Sequence, residues 1–284
     1  MILGTAQFGF DYGISNSIGE LSQTMVNDVL KFSKLNSICA LDTAAAYGNS
    51  EKKIGNSGLS KDFTISTKLP SLINISSSKV SNYVEDKVTN SLNNLKCETI
   101  DSLLIHSLED LNHHRHRIWD SLIKLKEKGI IKNIGYSVYT PLELEGCYKT
   151  FKPDIIQIPY SILDKEFEKL GWLNILYTDE VRVHVRSIFL QGLLLMDITK
   201  QIKLFPKFAS KWKELENFRT KNNLSALQLC LSCVKSNNKF EDYIVGFSSK
   251  AELDQILKNL NNIPDISYPD FSCSDANLIY PYNW

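Results

Sequence analysis

No stretch of this chain stays apolar for the roughly 18 residues that a membrane-crossing helix needs, so no such span is expected. Neither sign of charge is in excess. Lys and Arg number 32, Asp and Glu 32, and nothing in that balance points to a nucleic acid or another polyanion. Six cysteines in 284 residues do not make a disulfide scaffold. They read as reduced, buried thiols of a cytoplasmic protein. The start, MILGTAQFGF, lacks a basic segment and a cleavage site, so no signal peptide is expected. No Pro-, Gly- or Ser-rich break marks a linker. We therefore read one domain over 1–284, with 261–284 as a C-terminal tail. Histidine is scarce, and His113, His114 and His116 cluster around Arg115. That cluster reads as a solvated loop, with adventitious metal binding as the alternative. Cys230 and Cys233 form a CxxC inside an expected helix with no second pair, so no metal site is expected; a redox pair is the lesser alternative.

What is present is a regular alternation. Apolar runs bounded by turn residues read as strands at Ile2–Ala6, Ile38–Asp42, Phe63–Lys68, Ile100–Ile105, Ile130–Tyr136, Ile155–Ile158, Val181–Ile188 and Tyr243–Gly246. Helical periodicity fills the intervals. Ser22 can cap a helix to Leu35 and another opens at Ser50. Val80, Val84, Val88, Leu92 and Leu95 mark a third within 78–95. Further helices are expected over 119–128, where Gly129 stops the helix, from Pro141, and over 208–220, 225–235 and 249–260. Residues 8–22, rich in Gly, Asn and Ser, read as a loop. Strands apolar on both faces, alternating with helices, argue for a buried parallel sheet. Eight such units in this length fit a closed α/β barrel, the (β/α)8 TIM barrel.

Chemistry-bearing residues stand at the ends of three successive strands. Asp42 closes the second, Tyr47 lies five residues on in LDTAAAYGNSE, Lys68 closes FTISTK and His106 closes DSLLIH. Five residues is the wrong spacing for one helix face but suits a strand end and its following loop. In a barrel those ends share one rim, where active sites form. Each residue also has a bland reading taken singly: Tyr47 packed on the rim, Asp42 a turn former, Lys68 solvated before a proline turn, His106 a hydrogen-bonded core histidine.

The series LGTAQFG, LDTAAAYGNSE, STKLP, LLIHSLEDL, IGYS, DIIQIPYSILD, FLQGLL and VGFSS, in that order, resembles the aldo-keto reductases from about Gly4 to Leu260. The chain lacks the N-terminal hairpin that many members place under the barrel. Its opening and its Pro-Tyr-Asn-Trp end resemble a bacterial branch linked to surface-sugar synthesis. The resemblance implies reduction of a small aldehyde or ketone, sugar-like in our reading, by hydride transfer from NAD(P)H. It assigns proton donation to Tyr47, with Lys68, Asp42 and His106 beside it. The chemistry is coherent. A phenol is a poor acid near neutrality, an adjacent ammonium stabilises the phenolate, a carboxylate holds that ammonium, and an imidazole orients the carbonyl oxygen.

The same resemblance sets a nicotinamide nucleotide on Gly4, Thr5, Ala6 and Asp42, with Ser137 and Gln157 on the nicotinamide amide. Val138 follows Ser137 where many members carry asparagine. Arg186 stands where many carry an aromatic that stacks on the nicotinamide. A guanidinium can stack too, or it can grip an anionic substrate. Ser187, Phe189 and Gln191 would border the pyrophosphate, and Gly246, Phe247, Ser248, Lys250, Glu252 and Gln255 the adenosine end. Ser249 with Glu252 equally reads as a capping box. The family preference is NADP(H). A carboxylate at Glu252 would repel a 2′-phosphate and accept from a ribose hydroxyl, leaving NAD(H) open, while Lys250 could compensate. The aromatic tail beyond Phe271 either borders the pocket or packs outside the barrel. A non-catalytic nucleotide-binding regulatory protein and a barrel epimerase or lyase remain as alternatives.

Overall fold

The computed structural model describes the backbone of residues 1–284 and every side chain except those of Asn112 and Arg115. Eight parallel strands close on themselves: β1 (Ile2–Gly4), β2 (Ala40–Asp42), β3 (Thr64–Leu69), β4 (Ile100–Ile105), β5 (Ile131–Ser137), β6 (Ile155–Pro159), β7 (Arg182–Arg186) and β8 (Asp242–Val245). Leu3 pairs with Leu41 on one side and Val245 on the other, which seals the barrel. β1 begins at Ile2, the second residue of the chain. The strands are short and almost wholly buried because helices cover the outside and side chains fill the inside.

The helices obey their local signals. Ser22 caps Gln23–Leu35 by accepting from the Met25 amide. Thr140 and Glu143 form a reciprocal capping box in front of Pro141, which fills a first-turn position where its missing N–H costs nothing. Gly129 follows Glu109–Glu127 at φ +71°, the left-handed conformation that ends a helix.

That helix departs from expectation. It starts at Glu109, ten residues before the expected Trp119, so His113, His114 and His116 are helical and not a loop. The missed cue is burial period: Leu111, His114, Ile118, Leu122 and Leu125 are all buried at helical spacing. Asp110 fastens the first turn, accepting from the Leu72 amide at 2.8 Å and Ser71 Oγ at 3.0 Å. Arg115, grouped with these histidines by sequence, lies outside the described side chains. Smaller differences follow from tight turns. β1 stops at Gly4 because Ala6–Gly9 turns into a single helical turn, and β7 stops at Arg186 because Ser187 adopts φ +62°.

Cys230 and Cys233 are buried in the helix Ala226–Lys235. Burial pushes both thiols up, Cys233 to about 11, which disfavours the thiolate that metal binding or redox exchange needs.

Candidate active site

One cleft opens at the carboxyl ends of the strands. It is lined from β1 by Gly4, Thr5 and Ala6, from β2 and its loop by Asp42 and Tyr47, and after β4 by His106. Ser137, Gln157, Arg186 and Ser187 continue it, followed by Phe189 and Gln191, then Gly246, Phe247, Ser248 and Glu252 beyond β8. Sixteen residues assigned to a nucleotide or to chemistry by sequence thus share a wall that runs around the rim. Lys250 and Gln255 do not line it. The Lys250 ammonium sits 5.2 Å from the Phe32 ring centroid, facing a neighbouring helix.

Beneath the cleft lies an ion pair. Lys68 is 1% exposed and Asp42 4%. Lys68 Nζ donates to Asp42 Oδ2 at 2.7 Å and to the Thr43 carbonyl at 2.9 Å. Asp42 Oδ1 accepts from Gln157 Nε2 at 2.7 Å, and Gln157 Oε1 accepts from Ser137 Oγ at 3.3 Å. A charge this deep persists only with full pairing, and the chain Ser137–Gln157–Asp42–Lys68 supplies it. Gln157 and Ser137, singled out for a ligand amide, thus also hold the buried carboxylate.

The half-buried Tyr47 stands above this pair. The ammonium is 5.0 Å from its ring centroid, and the His106 ring meets it edge-on at 5.9 Å. The ammonium does not set the net direction for the phenol. Burial pushes the Tyr47 phenol well above its usual range, and the Asp42 charge adds to that; the Arg186 charge opposes both. The physical reason is that a low-dielectric site penalises the phenolate, and the nearby Asp42 carboxylate repels it. Burial also lowers Lys68, against the pull of Asp42. His106 is brought down to about 4 by burial and then by Lys68, so it is a neutral imidazole at physiological pH.

Two glycines position Tyr47. A Cβ on Gly9 would lie 1.7 Å from the Tyr47 carbonyl oxygen, and one on Gly48, at φ +51°, 2.3 Å from the Gly9 oxygen. Gly9→Ala must therefore push the Tyr47 loop off the first turn after β1. We expect kcat/KM to fall by on the order of 100-fold, the cost of an ångström-scale misplacement, with nucleotide affinity far less affected. Near wild-type activity would show that the loop tolerates the shift.

The Ser-Glu of YGNSE does more than open a helix. Ser50 Oγ contacts the Thr5 carbonyl, Thr5 Oγ1 and Thr43 Oγ1 at 2.9–3.0 Å, tying the ends of β1 and β2 together. Glu51 is buried and accepts from Thr67 on β3 at 2.7 Å and from Asn94 at 3.3 Å.

At the far end, the cap differs from the expected box. Ser249 Oγ accepts from the Glu252 amide, but the Glu252 carboxylate reaches one residue further back, accepting from Ser248 N and Oγ at 2.6 Å each. Sequence reasoning missed the roof. Tyr12, Gly13, Ser15 and Asn16 of the loop after Gly9 line the cleft, as does Tyr139 after β5. Ser15 Oγ donates to the Gln191 carbonyl at 3.3 Å, and a Cβ on Gly192 would strike Ser15 Oγ at 1.8 Å. The strand-seven loop meeting it carries Ser187, Leu190, Gln191 and Gly192 at positive φ, the kind of strain that gathers at binding loops. The tail does reach the rim: Tyr282 meets Tyr139 edge-on at 5.1 Å.

Known structures share this architecture. An aldo-keto reductase from Bacillus halodurans in its holo form superposes with a TM-score of 0.72 at 20% identity, over 95% of this chain and 88% of that one. A thermostable aldo-keto reductase in complex with the inhibitor epalrestat gives 0.68 at 19% identity, over 95% and 92%. A search of curated proteins by sequence finds no match. At such identities the structural likeness speaks for the barrel. The sequence profile of the Aldo/keto reductase family, however, matches residues 1–270, nearly the whole chain. With that match over a closed barrel whose rim gathers Asp42, Tyr47, Lys68 and His106, the chain belongs to the aldo/keto reductase family of oxidoreductases.

Proposed function

We propose that the protein reduces a small aldehyde or ketone, hydroxylated or sugar-like, with NAD(P)H, and that Tyr47 donates the proton. The observation that carries this reading is the buried Lys68–Asp42 pair beneath a phenol that faces a neutral imidazole. The cleft lining fits a nicotinamide nucleotide by its chemistry. Amide and hydroxyl groups of Gln157 and Ser137 stand at the deep end beside Asp42, and Ser248 with Glu252 at the other end can meet a ribose. The bound nucleotide supplies the hydride. The chain does the rest. His106, neutral, hydrogen-bonds the carbonyl oxygen and sets its angle. Tyr47 passes its O–H proton to that oxygen as negative charge builds there. An alkoxide is a stronger base than a phenolate, so the transfer runs downhill even with Tyr47 raised by burial. Lys68 then stabilises the phenolate until a solvent proton returns to it.

Fluorescence titration with NADPH and NADH, followed by a carbonyl screen with each, tests the assignment. Binding of neither nucleotide would end it. The two differ at Glu252. Engaged by Ser248 and with Lys250 turned away, that carboxylate favours NADH. Glu252→Gln is then expected to tighten NADPH at least tenfold more than NADH; equal change in both would remove Glu252 from cofactor choice. The roof gives a further expectation. Gly192→Ala displaces Ser15 and parts the two loops, so nucleotide release, followed by stopped-flow fluorescence, is expected to quicken severalfold. An unchanged rate would mean the crossing does not gate release.

A further inference from the structure

Arg186 is the one cationic residue in the cleft lining among the described residues, and it has no counter-ion. Its guanidinium stacks on Tyr139, 4.2 Å from the ring centroid. One N–H donates to the Val138 carbonyl at 2.9 Å and another to Ser187 Oγ at 3.2 Å. A guanidinium carries five N–H groups, so most of its fork is left for a ligand. Among the described residues no carboxylate comes within 4.0 Å of it.

A further layer of aromatic rings backs the group. Tyr282 braces Tyr139 edge-on, Tyr280 stacks on Tyr282 at 5.4 Å, and the Tyr280 phenol donates to Glu166. A half-buried charge without a partner is costly, and a braced one even more so unless its partner arrives with the ligand. The other charges near the cleft are committed. Lys68 serves Asp42 and the Thr43 carbonyl, and Glu252 serves Ser248 at the far end. Asp164, near enough to feel Arg186, is raised to about 7 by burial and is a weak counter-charge at neutral pH. Arg186 acts where the reaction would occur, since its field bears on Tyr12, Tyr47, Lys68 and His106 together.

Resting on the reductase reading, we propose that Arg186 is a specificity-determining residue that binds an anionic group of the substrate, so that the enzyme prefers carbonyl compounds bearing a carboxylate or phosphate. The planar fork, fixed by stacking, suits either anion bidentately. Lysine at this place would be a point charge without that geometry.

The test compares kcat/KM for 4-formylbenzoate with its methyl ester, and for 4-formylphenyl phosphate with 4-methoxybenzaldehyde. Wild type is expected to favour the anion by roughly 10- to 100-fold, falling with added salt. The larger ratio of the two pairs separates carboxylate from phosphate. Arg186→Gln is expected to collapse the ratio through KM for the anion, and Arg186→Lys to restore part of it. A wild-type ratio near one, or equal losses on both members of a pair with weakened nucleotide binding, would overturn the proposal and put Arg186 at the nicotinamide. If wild type reduces none of these aldehydes with either nucleotide, the reductase reading fails instead. Calorimetry with 4-formylbenzoate and inorganic phosphate on wild type and Arg186→Gln then decides the anion site. Binding lost in the variant upholds it, and no binding to wild type removes it.

Discussion

Tyr47→Phe is expected to lower carbonyl reduction by on the order of 1,000-fold, within the range that general acid catalysis contributes, while nucleotide affinity changes by less than about threefold. The substitution removes one oxygen and keeps the ring, so the edge-on contacts with Phe10 and His106, each 5.9 Å between centroids, survive. The Tyr47 loop is set by its backbone against Gly9 and not by the hydroxyl, so its course survives as well. What goes is the proton. Steady-state rates with NADPH or NADH, paired with fluorescence titration of the same preparation, separate the two effects. Full activity in this variant would remove Tyr47 from the mechanism. The pH profile adds a check on its neighbour. With His106 lowered to about 4, its imidazole stays neutral from about pH 5 upward, and log kcat/KM is expected to show no acid limb near the ordinary histidine value of about 6.5. The sign for stability follows. A depressed histidine binds fewer protons folded than unfolded, so it costs stability as pH falls from about 6.5 toward about 4.

Lys68→Met is expected to cost about 3–5 kcal/mol of stability as well as activity. The buried Asp42 would keep Gln157 but lose its cation, and an uncompensated carboxylate in that site must either take up a proton or remain at high energy. For a domain of this size that cost lowers Tm by roughly 10 °C. The double variant Asp42→Asn/Lys68→Met removes both charges. It is expected to regain most of the lost stability but none of the activity, because stability needs only the absence of an unpaired charge, whereas the proton transfer needs the ammonium near Tyr47. Thermal melts and rates on the three proteins complete the cycle. A double variant less stable than Lys68→Met would mean the pair stabilises the fold outright and is not primarily a catalytic device.

The barrel was legible because its signal is redundant. Each strand is an apolar run ending in a turn residue, and each helix carries its own cap or stop, such as Ser22, Thr140 with Glu143, and Gly129. Asp42, Tyr47, Lys68 and His106 were legible because strand ends in a closed parallel sheet necessarily share a rim. The helix around His113–His116 was not, since polar residues hide a period that only burial reveals. Nor was the path of Lys250, whose ammonium could turn either way from the start of its helix and turns to Phe32.

From its order of residues alone, this protein is an eight-fold α/β barrel with an acid, a phenol, an ammonium and an imidazole on one edge, because strand period, capping and chain order are local properties. Tertiary structure decided how those groups stand toward one another. Burial raises Tyr47, since desolvation depends on what packs around a group and not on its neighbours in sequence. It also brought together Arg186 and Tyr139, 47 positions apart, braced by Tyr282 from the tail, and crossed the loop carrying Ser15 over Gly192, contacts that exist only once the barrel has closed.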